Sequence, residues 1–418
     1  MNSLNLVFGA NTNITDNTTR FFPLSGYLDA QSTEANVEMA VRDAGTFSNA
    51  FAYIPLNTAS NTSTITLRKS RADTSLVISI AGDSTGVKED TSNTATFAAT
   101  DEVDWEVTVP TEGGTNNLTL SLLGVQFAPT TAGDCVTIIG QARDSSVLST
   151  NSGVWYWMLS AQCNFIVTSE PQTKFRFTSA FTSSNLLAFV ATNTRGDNDT
   201  NFRSRKNGVN GNQVLNYLTL ETGVKEDPSN SDSIANGDDF NYAVSLGTGS
   251  GNLGFRILQS RILSTNGDFV MMCGRNNGID FGVNLTRYFG VSSDLSAVST
   301  TEVGVQIYPR FTFTAKQLSA YAHANTVATS NVTITFRDNG GNGNQVLTYA
   351  PGQSGLKNEP TNTDVITSGT DEIDYVLVTP NTSGTFSLDW IGCVGHVDVS
   401  GAAVIQDIIQ SGIIAFAR

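Results

Sequence analysis

A six-residue stretch, Thr85-Gly86-Val87-Lys88-Glu89-Asp90, returns as Thr222-Gly223-Val224-Lys225-Glu226-Asp227 and, more loosely, as Ser354-Gly355-Leu356-Lys357-Asn358-Glu359. The three glycines stand 137 and 132 residues apart, a domain-sized period that suits neither a solenoid nor a propeller blade. The flanks keep step: Arg68, Arg205 and Arg337 each lie 18 positions before the glycine, and Asp101, Asp238 and Asp371 lie 15 or 16 after it. Behind each aspartate comes an apolar alternation with an aromatic in the middle: Val103, Trp105, Val107; Phe240, Tyr242, Val244; Ile373, Tyr375, Leu377. Period 2 marks a half-buried β-strand. The glycine stretch itself carries glycine, charge and small polar residues between two strands. It predicts a loop, with a ligand or contact site as the other reading.

The repeat divides the 418 residues into three units, 1–133, 134–267 and 268–418. A unit of roughly 134 residues buries about two-thirds of its unfolded surface, enough for its own core. Along unit one, short strands are expected at Leu4–Phe8, Arg20–Leu24, Val37–Val41, Asn49–Leu56, Ile65–Arg68, Leu76–Ile80, Thr94–Ala98, Val103–Val109 and from Leu118. Units two and three follow the same plan, with Trp155-Tyr156-Trp157 and Arg287-Tyr288-Phe289 standing where Arg20-Phe21-Phe22 stands, and Glu170 and Glu302 where Glu34 stands. Eight or nine strands per unit and no convincing helix predict an all-β chain of three tandem jelly-roll-like antiparallel β-sandwiches. The immunoglobulin class is the alternative, but no unit has a Cys…Trp…Cys arrangement. After Trp390 the chain continues through Val404, Ile405, Ile413, Ile414 and Phe416, similar to the start of a further unit. Neighbouring units are therefore expected to share or exchange edge strands, and three closely joined units to pack about a pseudo-threefold axis, with a simple row as the alternative.

Composition excludes several functions. Formal net charge is −15 with no basic run, so a nucleic-acid partner is disfavoured. Cys135, Cys163, Cys273 and Cys393 lack metal or redox spacing and read as small buried hydrophobes. No 18-residue apolar run and no signal-peptide pattern are present. The two histidines, His323 and His396, have no nucleophile-elbow motif beside them and read as surface or satisfied residues. Carboxylate pairs such as Glu89–Asp90, Glu226–Asp227, Asp238–Asp239 and Asp371–Glu372 are abundant in a chain with 38 acids and sit in predicted turns. A two-carboxylate glycosidase is accordingly the least supported reading. Asp197-Asn198-Asp199-Thr200-Asn201 and Asp338-Asn339-Gly340-Gly341-Asn342 offer closely spaced oxygens of the kind Ca²⁺ takes, although Asx-rich turns look the same without metal. Trp155-Tyr156-Trp157 suits either sugar stacking or the core, and its strand alternation favours the core. The Asn-x-Ser/Thr triplets, such as those at Asn13, Asn61 and Asn331, follow from the composition. No residue is assigned as catalytic, cofactor-binding or metal-binding.

The Gly-Val-Lys-Glu-Asp-(Thr/Pro)-Ser-Asn motif, followed by a Gly/Asp turn and an aromatic strand, resembles β-rich structural proteins of tailed bacteriophages over residues 85–110, 222–246 and, less closely, 354–379. The resemblance implies a virion component made in the host cytoplasm: a capsid decoration, head fibre or tail-associated protein. Its partners would be a major capsid or tail protein, further copies of itself or a host glycan. The alternative is a free carbohydrate-binding or adhesive module.

Overall fold

The computed structural model describes residues 1–27, 29–111, 116–148, 152–160, 167–196, 199–296 and 298–398. Eight principal strands come from unit one: β1 Ser3–Thr15, β2 Thr18–Phe22, β3 Gly45–Ile54, β4 Ser63–Lys69, β5 Ala72–Ile80, β6 Gly86–Phe97, β7 Glu102–Val109 and β8 Asn117–Pro129. They form two sheets, ordered β1-β8-β3-β6 and β2-β7-β4-β5. Consecutive strands thus alternate between sheets except at the β4–β5 hairpin. This is jelly-roll topology, and a face-to-face pair of sheets is the way strands with one apolar face each bury it.

Unit two repeats the order with β9 Cys135–Leu148, β10 Gly153–Trp157, β11 Phe181–Asn193, β12 Thr200–Lys206, β13 Val209–Tyr217, β14 Gly223–Ile234, β15 Asp239–Leu246 and β16 Leu253–Ser264. Unit three does so with β17 Asp268–Phe281, β18 Leu285–Phe289, β19 Phe313–Asn325, β20 Val332–Asp338, β21 Gly341–Tyr349, β22 Gly355–Ile366, β23 Ile373–Thr379 and β24 Phe386–His396. Their sheets are β9-β16-β11-β14 with β10-β15-β12-β13, and β17-β24-β19-β22 with β18-β23-β20-β21. The described residues contain no α-helix, only three short 3₁₀ turns beginning at Glu34, Glu170 and Glu302.

Each sandwich is filled from both sheets: Phe22, Phe47, Trp105 and Phe127 in unit one; Trp157, Phe202, Tyr242 and Phe255 in unit two; Phe336, Tyr375 and Phe386 in unit three. Of these, Trp105, Tyr242 and Tyr375 sit at the predicted aromatic positions of the alternation. The cores are not separate. Val136 and Ile138 of unit two join the unit-one core, Trp390 of unit three joins that of unit two, and Phe51 and Leu122 of unit one join that of unit three. The opening strands β1, β9 and β17 meet one another pairwise. The three units therefore close on themselves rather than forming a row.

Two local expectations are corrected. Val37–Val41 is not a full strand. The Glu34–Asn36 turn leaves only Met39–Ala40 to pair with β7, because the segment is short and must bend to cover the outer face of that strand. The glycine stretch is not a loop: Gly86, Gly223 and Gly355 open the edge strands β6, β14 and β22. Each glycine has positive φ (83°, 101°, 92°), the left-handed turn that only glycine takes without cost. The polar residues that follow suit an edge strand with one wet side. The similarity to a further unit after Trp390 falls on residues 399–418, outside the described residues.

Candidate functional site

The repeated arginine has a carboxylate partner in each of the three units. Arg68 Nε donates to Glu34 Oε1 at 3.0 Å. Arg205 forks onto Glu170 at 2.9 and 3.1 Å, and Arg337 onto Glu302 at 2.7 and 2.9 Å. The 3₁₀ turn presents the glutamate, and the end of β4, β12 or β20 presents the arginine. Planar guanidinium and carboxylate meet edge to edge, the geometry for which arginine is suited. In units two and three the guanidinium also covers Tyr156 and Tyr288, 5.7 Å from each ring centroid.

Beneath this clasp lies a residue that sequence reading missed. Asp104 and Asp374 are fully buried, and among the described residues no cation is bonded to either carboxyl. Burial, reinforced by Glu34 and Glu302, pushes both up to about 9, so each is a neutral acid at pH 7. In unit two the equivalent residue is Asn241, whose amide donates to Thr173 Oγ1 at 2.8 Å. A neutral carboxyl beside a carboxylate is an acid–base pair in principle. Here both carboxyls are closed off from solvent, and an uncharged amide replaces the acid in one copy of three. The sequence carried one signal: an acid between the strand-alternating Val103 and Trp105. It reads as solvent-facing because nothing local shows that the 3₁₀ segment covers that face.

The aspartate of the repeated stretch ties the two sheets together at their shared edge. Asp90 in β6 accepts from the Val77 N–H of β5 at 2.9 Å and from the Ser92 and Asn93 N–H groups. Asp227 does the same with Val214, Ser229 and Asn230. Burial pulls these carboxyls upward, but the hydrogen bonds outweigh it and hold both below the usual range. In unit three Glu359 keeps the local bonds to Thr361 and Asn362. Among the described residues it makes no bond to the facing strand.

The glutamate of the stretch faces a neighbouring unit. Arg42 Nε donates to Glu226 Oε1 at 2.6 Å across the seam between units one and two. Arg310 Nε donates to Glu89 Oε1 at 3.1 Å across the seam between units three and one. Counting from Glu34, Glu170 and Glu302, Arg42 and Arg310 are the same position. At the remaining seam, between units two and three, that position is Thr178, and the glutamate's place is taken by Asn358. Both charges are absent together. There Phe175, at the position held by Met39 and Ile307 in the other units, sets its ring 5.1 Å from Trp390 and over Gly392, where any Cβ would collide with it. Each unit thus inserts the segment after its 3₁₀ turn into the next unit's sheet, head to tail, and the third seam closes the ring.

The other candidates resolve as follows. Trp155 and Trp157 are buried, as the strand alternation favoured. His323 Nδ1 lies 2.9 Å from Asp389 and His396 Nδ1 2.8 Å from Asp268, so both imidazoles are paired. Cys135, Cys273 and Cys393 are buried free thiols; burial pushes Cys135 and Cys393 up to about 12. Cys163 lies outside the described residues, as do Asp197 and Asn198 of the first calcium-like loop. The second is the β20–β21 hairpin turn, with Asn339 and Gly340 at positive φ. Its Asn339 Oδ1 accepts from Glu372 N–H and its Asn342 Oδ1 from Arg337. Among the described residues no group of three or more acidic, cysteine or histidine residues is placed to hold a metal, and no helix is long and apolar enough to cross a membrane.

One surface feature recurs. A groove between the β4–β5 turn and β6, about 490 Å³, is lined by Lys69, Asp73, Thr74 and Thr96 among others. Its counterpart of about 340 Å³ in unit two is lined by Lys206, Asn210, Gly211 and Ser233. Lys69 pairs with Asp101 at 3.0 Å and Lys206 with Asp238 at 3.1 Å. In unit three Asp338 takes the lysine's place. Burial and the neighbouring Asp371 and Asp364 raise it to about 6.

No family model matches the chain, and no curated protein sequence matches it. Among solved structures, a Paenibacillus xanthan lyase is similar over 68% of this chain and 30% of its own, at 15% identity and a TM-score of 0.18. The chain spans under a third of that structure's length, and a likeness of that degree carries no argument here.

Proposed function

We propose that the chain is a non-enzymatic structural protein of a tailed-bacteriophage particle, a capsid decoration, head-fibre or tail-associated component that works through protein–protein contacts. The observation that carries this reading is the closed head-to-tail ring, with Arg42–Glu226 repeated as Arg310–Glu89. Three jelly rolls fused in one chain form a preassembled pseudo-trimer, a shape that seats on a surface of matching local symmetry. Jelly rolls serve in viral capsids and also in lectins, and fold alone does not choose between them. The resemblance of the repeated motif to phage structural proteins favours the first. The partner would be the major capsid or a tail protein.

Quantitative mass spectrometry of purified particles tests the proposal. A fixed ratio to the most abundant shell protein supports it: tens to hundreds of copies indicate a decoration, and a few indicate a fibre or tail. Absence from every particle fraction overturns it. The second reading, a glycan-binding module, is favoured by the polar groove that recurs in units one and two. Glycan-array binding by a chain absent from particles would establish that reading instead.

A further inference from the structure

We infer that the cleft at the seam between units two and three binds a carboxylate-bearing sugar residue. The cleft is about 210 Å³, room for one pyranose, and is lined by Pro171, Lys174, Arg176 and Asp239 of unit two with Tyr321 and Leu356 of unit three. Its chemistry has three parts. The Lys174 ammonium has its nearest carboxylate, Glu170 Oε2, at 4.0 Å, and both Glu170 oxygens are already engaged by Arg205. That leaves the ammonium able to take an incoming carboxylate. Arg176 is forked onto Asp239 through Nε and Nη2 with 35% of its side chain exposed. The pair offers unused N–H donors and carboxylate lone pairs side by side, the pattern that reads neighbouring sugar hydroxyls. Half-buried Tyr321 supplies an aromatic face for the C–H side of the ring, and Pro171 and Leu356 close the apolar wall.

The pseudo-symmetry supplies the control. At the seam between units one and two the corresponding residues are Glu38, Ala40 and Glu102 facing Phe189 and Val224. At the seam between units three and one they are Gln306, Tyr308 and Glu372 facing Tyr53 and Val87. The first of these is acidic, with Glu38 bonded to Arg71 at 2.8 Å. In the second, Tyr308 donates directly to Glu372. At these corresponding positions, two cations, Lys174 and Arg176, stand only at the seam that lost the Arg–Glu pair, becoming Thr178 and Asn358. The chain's net charge of −15 gives no long-range attraction to an anion, so recognition rests on these contacts and is weak, with a dissociation constant of about 1 mM for a single residue.

The test is titration of the full chain with glucuronate, N-acetylneuraminate and glucose, followed by calorimetry or NMR. At least one acid is expected to bind at about 1 mM, with glucose at least about tenfold weaker, and the acid that binds tells a uronate from a sialate source. Lys174→Gln should weaken that binding about tenfold, whereas Lys206→Gln, in the recurrent groove, should leave it unchanged. Leu356→Glu places a carboxylate at the rim from an exposed position and should give a similar loss. It keeps the test decisive if Lys174→Gln fails to fold. Failure of both acids to bind, glucose binding as well as the acids, or parental binding by a folded Lys174→Gln or Leu356→Glu variant would overturn the assignment.

Discussion

Asp104 in unit one and Asn241 in unit two occupy the same place in two copies of one fold, yet one is an acid and the other an amide. Both are buried beneath an Arg–Glu clasp, and Asp374 repeats the acid in unit three. The amide is the uncharged counterpart of a protonated carboxyl, and Asn241 gains Thr173 as partner where the acid-bearing units have Val37 and Val305.

For Asp104 and Asp374 the folded pKa of about 9 lies above the unfolded value near 4. Folding therefore retains protons that the unfolded chain releases. Stability is undiminished below about pH 4 and falls as pH rises towards 9, by up to roughly 1.4 kcal/mol per pH unit and acid. Asp104→Asn and Asp374→Asn, whose amides stay uncharged at every pH, are expected to raise stability at pH 8 by about 1–3 kcal/mol and flatten this slope. Asn241→Asp should steepen it. Urea unfolding at pH 5 and pH 8 measures both; equal slopes in parent and variants would contradict the neutral-acid assignment.

The seam pair Arg42–Glu226 predicts a sign pattern. Arg42→Thr alone and Glu226→Asn alone should each destabilise, because either strands a half-buried charge. The double variant, which copies Thr178 and Asn358 of the remaining seam, should recover about 1 kcal/mol of the summed loss. Thermal unfolding of the four proteins reads the coupling, and strict additivity would mean that the pair contributes nothing at this seam.

Asp338 stands where Lys69 and Lys206 stand in the other units, facing Asp371. With its carboxyl raised to about 6, its stabilising effect is intact below about pH 4 and lost as pH rises through 6. Asp338→Lys should create the ion pair of the other units and raise stability at pH 7 by about 1 kcal/mol. A lower melting temperature at pH 7 would refute this.

Asp90 is held below its ordinary range by the hydrogen bonds that outweigh its burial. Its contribution is present above about pH 4 and lost as pH falls through the lowered value. Asp90→Ala leaves the Val77 N–H without its partner and should cost about 1–3 kcal/mol. Glu359→Ala, in the copy without the cross-sheet bond, should cost less. Comparing the two by denaturant unfolding tests whether the tie between sheets is what the repeated aspartate provides.

The sequence by itself determined the number of units, the all-β class and which alternating residues, such as Trp105, Tyr242 and Tyr375, fill the sandwiches. Those features are local: a repeat is visible as a repeat, and a strand's period of 2 depends only on its neighbours in the chain. It also placed the clasp residues Arg68, Arg205, Arg337 and Glu34, Glu170, Glu302, though not as partners, since 34 or 35 residues separate each pair. It misread the glycine stretch as a loop because an edge strand with a wet face has the composition of a turn. Only the tertiary structure decided that Arg42 meets Glu226, that Phe175 enters the space left by Gly392, and that Asp104 is covered rather than exposed. Each of those depends on what a second element or a second unit brings to the same point, and burial by a distant segment leaves no periodic mark on the residues it covers.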